Sequence, residues 1–388
     1  MTPVSPVSPR LDCFAIAAPG LEPLVARELT ALGETPRIED GGVSWSGDAR
    51  SMMRANLWLR TASRVLVRVA RFRATEFYEL EKRAKKIPWG EFVFPGHAVE
   101  FRVTARKSRL YHSDAIAERL SRSVGASAKR AKLAKASAPR AGGDAGQLFV
   151  VRVVRDEFEI SVDSSGDLLH QRGYRRAVAK APLRETLAAA LLLAAEWTGD
   201  APTPLVDPMC GSGTIPIEGA LIARRIAPGI RRGFAFESWP GFQASVWTRV
   251  RADARANELA SARGPILGSD RDAGAVESAL ANAERAGVTA DVTFRSAPVS
   301  AIQPPGAASG LVATNPPYGV RVGSGSGTDL RNLYAQLGNV LRERFSGWRL
   351  AMYSPESRLT SQLALPVREA FRTSNGGIKV AAVIGEVR

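Results

Sequence analysis

The stretch ATNPPYGVRVG (313–323) places Asn315-Pro316-Pro317-Tyr318, an amide, two rigid rings and an aromatic ring, directly after the apolar Leu311-Val312-Ala313. Consecutive prolines neither continue a helix nor sit inside a paired strand. A buried strand is therefore expected to stop here in a stiff loop. Such a loop can be mere punctuation, or it can clamp a flat amine. The lone pair of guanine N2 or adenine N6 is delocalised into the ring. The Asn315 side-chain oxygen and the Pro316 carbonyl can accept the two amine hydrogens and draw electron density back onto nitrogen. Tyr318 can stack on the base, and the paired prolines Pro316 and Pro317 fix the carbonyl's direction. Positioning and preorganised dipoles then suffice without a strong base. A base inside a helix would first have to be flipped out.

An amine clamp needs a methyl donor beside it. In LVDPMCGSGTIPIEGALIAR (205–224) an apolar strand is expected to end at Asp207, followed by a glycine loop and a helix. Gly211 and Gly213 let backbone approach a ligand where a side chain would clash. The helix N-terminus offers N–H groups and a positive dipole end to a carboxylate or phosphate. A dinucleotide fingerprint is excluded because Pro216 holds the third glycine position, and a P-loop because no Lys follows Gly213. S-adenosylmethionine (SAM) fits instead, with the Asp207 acid for its amino group and the loop amides that follow Pro208, itself a cofactor-binding candidate, for its carboxylate. Cys210 reads as a small residue in a tight turn.

A third stretch, PILGSDRDAGAVESALANAERAG (265–287), ends a strand at Asp270 and begins a helix. One strand after the glycine loop, a carboxylate here can accept hydrogen bonds from both ribose hydroxyls. Arg271 adjoins it as a further cofactor-binding candidate, and Asp272 is placed to cap the helix.

These stretches need a scaffold. After Gly166, long apolar helices alternate with short β-rich runs: LVDP, PILGSD, DVTFRS, GLVATNPP and WRLAMYS. That alternation predicts an α/β fold, a parallel sheet with helices on both faces. VAAVIGEV after Asn375-Gly376-Gly377 reads as an edge hairpin, and LAAALLLAA (187–195) as a buried helix, too short to span a bilayer. Before Gly166 the chain reads as α+β. Strand, turn and helix are expected over 12–33, with Gly33 as a C-terminal stop, then a short strand in GGVSWSG and a helix and strand over 51–72. A second module has a strand with Val99, Phe101 and Val103 on one face, a helix capped near Ser113 or Asp114, and a hairpin carrying Phe158, Ile160 and Val162. Residues 1–10, rich in Pro and Ser, are expected to be disordered.

The chain has 388 residues, a formal net charge of +15 and a pI of about 10.4. This favours a polyanion partner, nucleic acid first. The charge is concentrated. The first strand of the second module ends in a basic loop with Arg106, Lys107 and Arg109, and Lys129, Arg130, Lys132 and Lys135 belong to an acid-free run from Arg119 to Arg140. Read as solvated, this run is a frayed helix; read functionally, it contacts phosphates. Two distant cysteines and three scattered histidines make neither a disulfide framework nor a metal constellation. The opening MTPVSPVSPR lacks a signal peptide's pattern. No metal and no membrane partner are expected, and the cytoplasm is the expected compartment.

The order of these parts resembles class I SAM-dependent methyltransferases, and Asn-Pro-Pro-Tyr resembles the motif of those that methylate exocyclic amines. QRGYRRAVAKAPLRETLAAALL (171–192) is similar to the segment leading into the methyltransferase fold of THUMP-domain RNA methyltransferases. RRIAPGIRRGFAFESWPGF (224–242) looks like an insertion of their bacterial branch acting on large-subunit ribosomal RNA, and FAIAAPGLEPLVARELTALG resembles that branch's start. The resemblance implies a ferredoxin-like region over 11–65, a THUMP RNA-binding domain over 66–165 and a Rossmann-like methyltransferase domain over 166–388. It implies that Pro182, Arg184 and Thr186 border the cofactor's methionine end, that Asp207, Gly211, Gly213 and Thr214 form the glycine-loop contacts, and that guanine N2 in RNA is the target. Such proteins usually bind the adenine amino group with an acid after the next strand, where this chain has Ser296. A hydroxyl accepts that bond without charge assistance. The glycine-serine loop after the clamp is expected to order when RNA binds. The same chemistry on tRNA, adenine-N6 methylation of DNA, and a non-catalytic RNA-binding assembly factor stay open as alternatives.

Overall fold

The computed structural model describes residues 10–127, 146–175, 183–318 and 327–388. Residues 1–9 of the expected disordered start, and the glycine-serine stretch over 319–326, lie outside them.

The N-terminal part runs β1 (Leu11–Ala17), α1 (Glu22–Ala31), β2 (Arg37–Glu39), β3 (Gly42–Gly47), α2 (Ala49–Trp58), β4 (Ala62–Arg73), α3 (Phe77–Ala84), β5 (Val99–Arg106), α4 (Ser113–Ser127), β6 (Gln147–Val154) and β7 (Glu157–Asp163). Its strands form one sheet in the order β2-β3-β1-β4-β7-β6-β5. Gly33, at φ +83°, follows α1 as expected, and Asp48 caps α2 by accepting from Ser51 N at 2.8 Å. The β6–β7 hairpin turns on Arg155 and Asp156, both at positive φ, and buries Phe158, Ile160 and Val162 on one face.

The division at 65/66 falls inside β4. Residues 62–68 of that strand pair with β1 and residues 66–73 with β7. Val65, Leu66 and Val67 are buried in the middle of the strand, so the two N-terminal regions share one backbone ladder.

The C-terminal part continues with α5 (Glu185–Ala194), β8 (Leu205–Asp207), α6 (Thr214–Ala223), α7 (Ala244–Ala256), β9 (Ile266–Asp270), α8 (Ala273–Ala286), β10 (Val292–Ser296), β11 (Leu311–Thr314), α9 (Gly327–Arg344), β12 (Arg349–Ser354), α10 (Ser357–Ser361), β13 (Val367–Asn375) and β14 (Ile378–Glu386). The sheet order is β10-β9-β8-β11-β12-β14-β13. The first five strands are parallel, and β14 runs antiparallel between β12 and the edge strand β13. The chain winds outward from β8 to β10, then restarts at β11 and winds the other way. Ligands of such sheets bind at the carboxyl ends of the strands where the winding reverses. Here that place lies between β8 and β11.

α5 is apolar all round, which a helix tolerates only when covered on every side. It packs against α6, β12 and α1, so it is sandwiched between the two parts of the chain. The parts are also pinned by Arg60, whose Nη2 donates to Ile226 O at 2.8 Å, and by Gly229 N, which donates to Leu57 O at 3.0 Å.

Candidate functional site

β8 ends on Asp207, which is 1% exposed. Its Oδ1 accepts from Thr314 Oγ1 at 2.7 Å and from Met209 N at 3.1 Å. Burial pushes this carboxyl up to about 7, against the pull of those two hydrogen bonds, and Asp270 adds to the rise. A carboxylate that burial penalises this strongly is suited to a cationic partner.

The glycine loop follows. Gly213 caps α6 at φ +82°, and a Cβ there would stand 2.9 Å from both Ala279 Cβ and Phe294 Cζ. Its need for glycine is packing against α8 and β10. Gly211, at φ +51°, differs because a Cβ there would meet nothing within 4 Å. Of the two, Gly211 alone has the open space that a ligand's approach would need. Pro208 and Thr214 are buried. Thr214 Oγ1 accepts from Arg175 Nη2 at 2.5 Å, Arg175 also donates to Leu183 O at 3.0 Å, and its Nε lies 3.3 Å from Glu185 Oε1. Arg175 thus ties the first turn of α5 to the first turn of α6. Arg184 is exposed immediately before α5, and Thr186 is buried inside it. Pro182 lies outside the described residues.

Asp270 closes β9. Its Oδ2 accepts from Gly211 N at 2.9 Å and its Oδ1 from Asp272 N at 3.0 Å. The strand-end carboxylate therefore also holds the glycine loop. Asp272 caps α8 through Gly274 N and Ala275 N, as expected. Arg271 is exposed, and exposed Ser296 ends β10 directly beside Asp270 in the parallel register. Burial pushes the Cys210 thiol far up, with Asp207 and Asp270 adding to the rise. A nucleophilic thiolate is disfavoured there, in keeping with a small turn residue.

β11 ends at Thr314, and the next residue is Asn315. Asn315 Oδ1 is a buried acceptor with no hydrogen-bond partner among the described residues. Pro316 is buried, while Pro317 and Tyr318 are half-buried. Tyr318 Oη accepts from Asn375 Nδ2 at 2.6 Å. The structure therefore brings Asp207, the glycine loop, Asp270, Ser296 and Asn315 to Tyr318 to adjacent strand ends. It adds Thr314, Arg175, Glu185 and Asn375, which pattern reading missed. Thr314 carried a signal, a hydroxyl in an otherwise apolar strand; Asn375 was read only as part of a turn.

A second feature lies at the far end of the N-terminal sheet. Asp156 organises it: its carbonyl accepts from Ala74 N at 3.0 Å, its Oδ1 from Arg109 N at 2.7 Å, and its N donates to Ser108 Oγ at 3.0 Å. Arg155 N donates to Arg106 O at 3.2 Å. The ends of β4, β5 and β6 thus present exposed Arg73, Arg106, Lys107, Arg109 and Arg155 on one rim. Lys129, Arg130, Lys132 and Lys135 lie outside the described residues. Among the described residues, no group of three or more His, Cys, Asp or Glu could hold a metal ion, and no helix is long and apolar enough to cross a membrane.

Residues 172–384 match the family of RMKL-like methyltransferase domains, and residues 12–66 match the RlmL ferredoxin-like domain. A protein of Synechocystis sp., provisionally named an RNA methyltransferase, is 36% identical over 94% of both chains. A ribosomal RNA large subunit methyltransferase K/L of Syntrophotalea carbinolica is 36% identical over 94% of this chain and 52% of its own length. The chain spans about half the length of such K/L relatives. Two crystal structures share the whole fold. One, provisionally named a methyltransferase and complexed with S-adenosylhomocysteine, has a TM-score of 0.84 and 28% identity over 98% of both chains. The other, from Listeria monocytogenes and titled as a predicted N6-adenine-specific DNA methylase, has a TM-score of 0.82 and 33% identity over 96% of both chains.

Proposed function

The chain belongs to the RMKL-like methyltransferase family, and on that premise we propose that it methylates the exocyclic N2 amine of a guanosine in large-subunit ribosomal RNA in the cytoplasm, using SAM. The observation that carries the reading is the Asn315 Oδ1 atom, buried and without a partner among the described residues, at the end of the strand that neighbours β8. An orphaned acceptor in a folded protein costs about 1–3 kcal/mol. It is well explained by a ligand donor that occupies it, and an amine hydrogen is such a donor.

The residues present fit SAM. Gly211 leaves open space at the loop, and among the described residues the Asp207 carboxylate has hydrogen-bond donors but no ion-pair partner, a place a ligand ammonium can take. Bound there, SAM supplies an electrophilic methyl group. The chain does the rest by binding and orienting. Asp207 takes the amino group; the glycine loop borders the carboxylate, with Gly211 on its open side and Gly213 and Thr214 at the start of α6; Arg184 and Thr186, with Pro182, border that end. Asp270 accepts from the ribose hydroxyls, with Arg271 beside it, and Ser296 accepts from the adenine amine. Asn315 Oδ1 and the Pro316 carbonyl accept the two hydrogens of the target amine, which holds the nitrogen lone pair toward the methyl group. Tyr318 offers its ring to the flipped base. Residues 11–65 and 66–165, joined in one sheet, act as the RNA-binding unit of a methyltransferase domain over 166–388.

The test is nucleoside mass spectrometry of ribosomal RNA, tRNA and DNA, purified separately from cells with and without the gene. Loss of N2-methylguanosine from large-subunit RNA is expected. Loss from tRNA would move the substrate and keep the chemistry, and loss of N6-methyladenine from DNA would overturn the choice of base. Calorimetry with SAM tests the remaining alternative, because no detectable binding would favour a non-catalytic factor.

A further inference from the structure

Tyr318 and Asn375 are 57 positions apart, yet the Asn375 amide donates to the Tyr318 hydroxyl at 2.6 Å. Asn375 is the last residue of β13, at the tip of the edge hairpin. The turn itself has no use for its side chain. Gly376 and Gly377 both take positive φ, +58° and +88°, and two such residues close a two-residue hairpin through backbone geometry alone. Nor is the hairpin loose. Phe371 on β13 meets Tyr353 edge to face at 6.1 Å, and the fully buried Tyr353 donates its hydroxyl to Leu187 O at 2.8 Å. The tip is thus braced through β12 to α5, and from this brace the Asn375 amide reaches Tyr318.

We infer that Asn375 is a positioning residue for the target base: it holds the Tyr318 ring in the plane in which a flipped base stacks. The inference rests on the reading of Tyr318 as the base platform. A tyrosine ring turns about two side-chain bonds, and packing alone leaves Tyr318 half-buried. Fixing its hydroxyl removes that freedom. Stacking rewards a base only when the ring is parallel to it, and small misplacements near the reacting atoms cost large factors in rate.

The test is a double-mutant cycle on the full chain, with labelled SAM as donor and RNA from cells lacking the gene as acceptor. N375A and Y318F should each lower kcat/KM roughly three- to tenfold, the range of one hydrogen bond. SAM affinity should stay at the wild-type value in both. In the Y318F background, N375A should cost nothing further, because the hydroxyl it holds has already been removed. An unchanged N375A enzyme overturns the inference. So do losses that multiply in the double variant, which would make Asn375 a general structural residue. N315A serves as the control for the wider reading: full turnover in N315A, or no RNA methylation by the unmodified protein, would overturn the function proposed above and this inference with it.

Discussion

Thr314 Oγ1 donates to Asp207 Oδ1 at 2.7 Å, and this bond joins the end of β11 to the end of β8 across the point where the sheet's winding reverses. One side of the pair lies next to Asn315, the proposed amine clamp. The other is the proposed anchor of the cofactor's amino group. T314V keeps the shape and removes the donor. It strips a hydrogen bond from a carboxylate that burial already penalises, so the Asp207 carboxyl should rise further and SAM should bind several-fold more weakly at neutral pH. Calorimetry of T314V and wild type at pH 7 measures this, and equal affinities would sink the coupling.

The same carboxyl predicts a pH dependence. Burial raises Asp207 to about 7 from a reference value of 3.8. An acid raised in the folded state stabilises the protein fully below its unfolded value, and that contribution is lost as pH rises through the folded value. The unliganded protein should therefore lose stability from this group between about pH 4 and pH 7. SAM affinity should run the other way, because a paired ammonium needs the ionised form. The dissociation constant is expected to weaken up to about tenfold per unit below pH 7. D207N should bind weakly with a flat profile, and a flat profile in the wild type would refute the assignment.

The two glycines separate packing from ligand contact. G213A places a methyl group 2.9 Å from Ala279 Cβ and Phe294 Cζ, at φ +82°. It should destabilise the protein by about 2 kcal/mol or more through overpacking and strain. G211A meets no protein atom within 4 Å, so its cost to stability is the strain of φ +51° alone, about 1 kcal/mol. SAM binding should nevertheless suffer in G211A. Thermal melts with and without SAM distinguish the two, and a G211A protein with wild-type SAM affinity would show that the loop's open side faces solvent only.

Local patterns were legible where one segment carries the whole constraint. Asp207 to Thr214, Asp270 with its cap Asp272, and Asn315 to Tyr318 each sit where a strand gives way to a turn, and their residue types announce it. Contacts between segments were not legible. Nothing near Tyr318 signals that Asn375 holds it, because the contact depends on where β13 and β14 dock against β12. Continuity through β4 was hidden for the same reason: its two pairing partners, β1 (Leu11–Ala17) and β7 (Glu157–Asp163), lie far apart in the chain. The segment RRIAPGIRRGFAFESWPGF (224–242) reads in sequence as an insertion. In the structure, Arg232 spends its donors on the carbonyls of Ser165, Asp167 and Leu168, and Phe236 N donates to Ser164 O at 3.1 Å. Much of its sequence character is explained by bracing the two parts of the chain.

The basic rim yields the last prediction, and it separates charge from arrangement. If Arg106, Lys107 and Arg109 each contact a phosphate, the triple alanine variant should lower the slope of log affinity against log salt by about 2 on single-stranded RNA. D156G tests whether arrangement matters as well. It removes an acid, which by charge alone should strengthen RNA binding. Glycine also tolerates the φ of +66° at this position, so the backbone is not strained. What it loses is the acceptor that holds Arg109 N at 2.7 Å. If the rim works as an ordered set of contacts, D156G should bind RNA more weakly despite its added positive charge, with the salt slope reduced by less than one contact. Tighter binding in D156G would instead mean that the rim attracts RNA as a diffuse field, with no fixed register between these side chains and the phosphates.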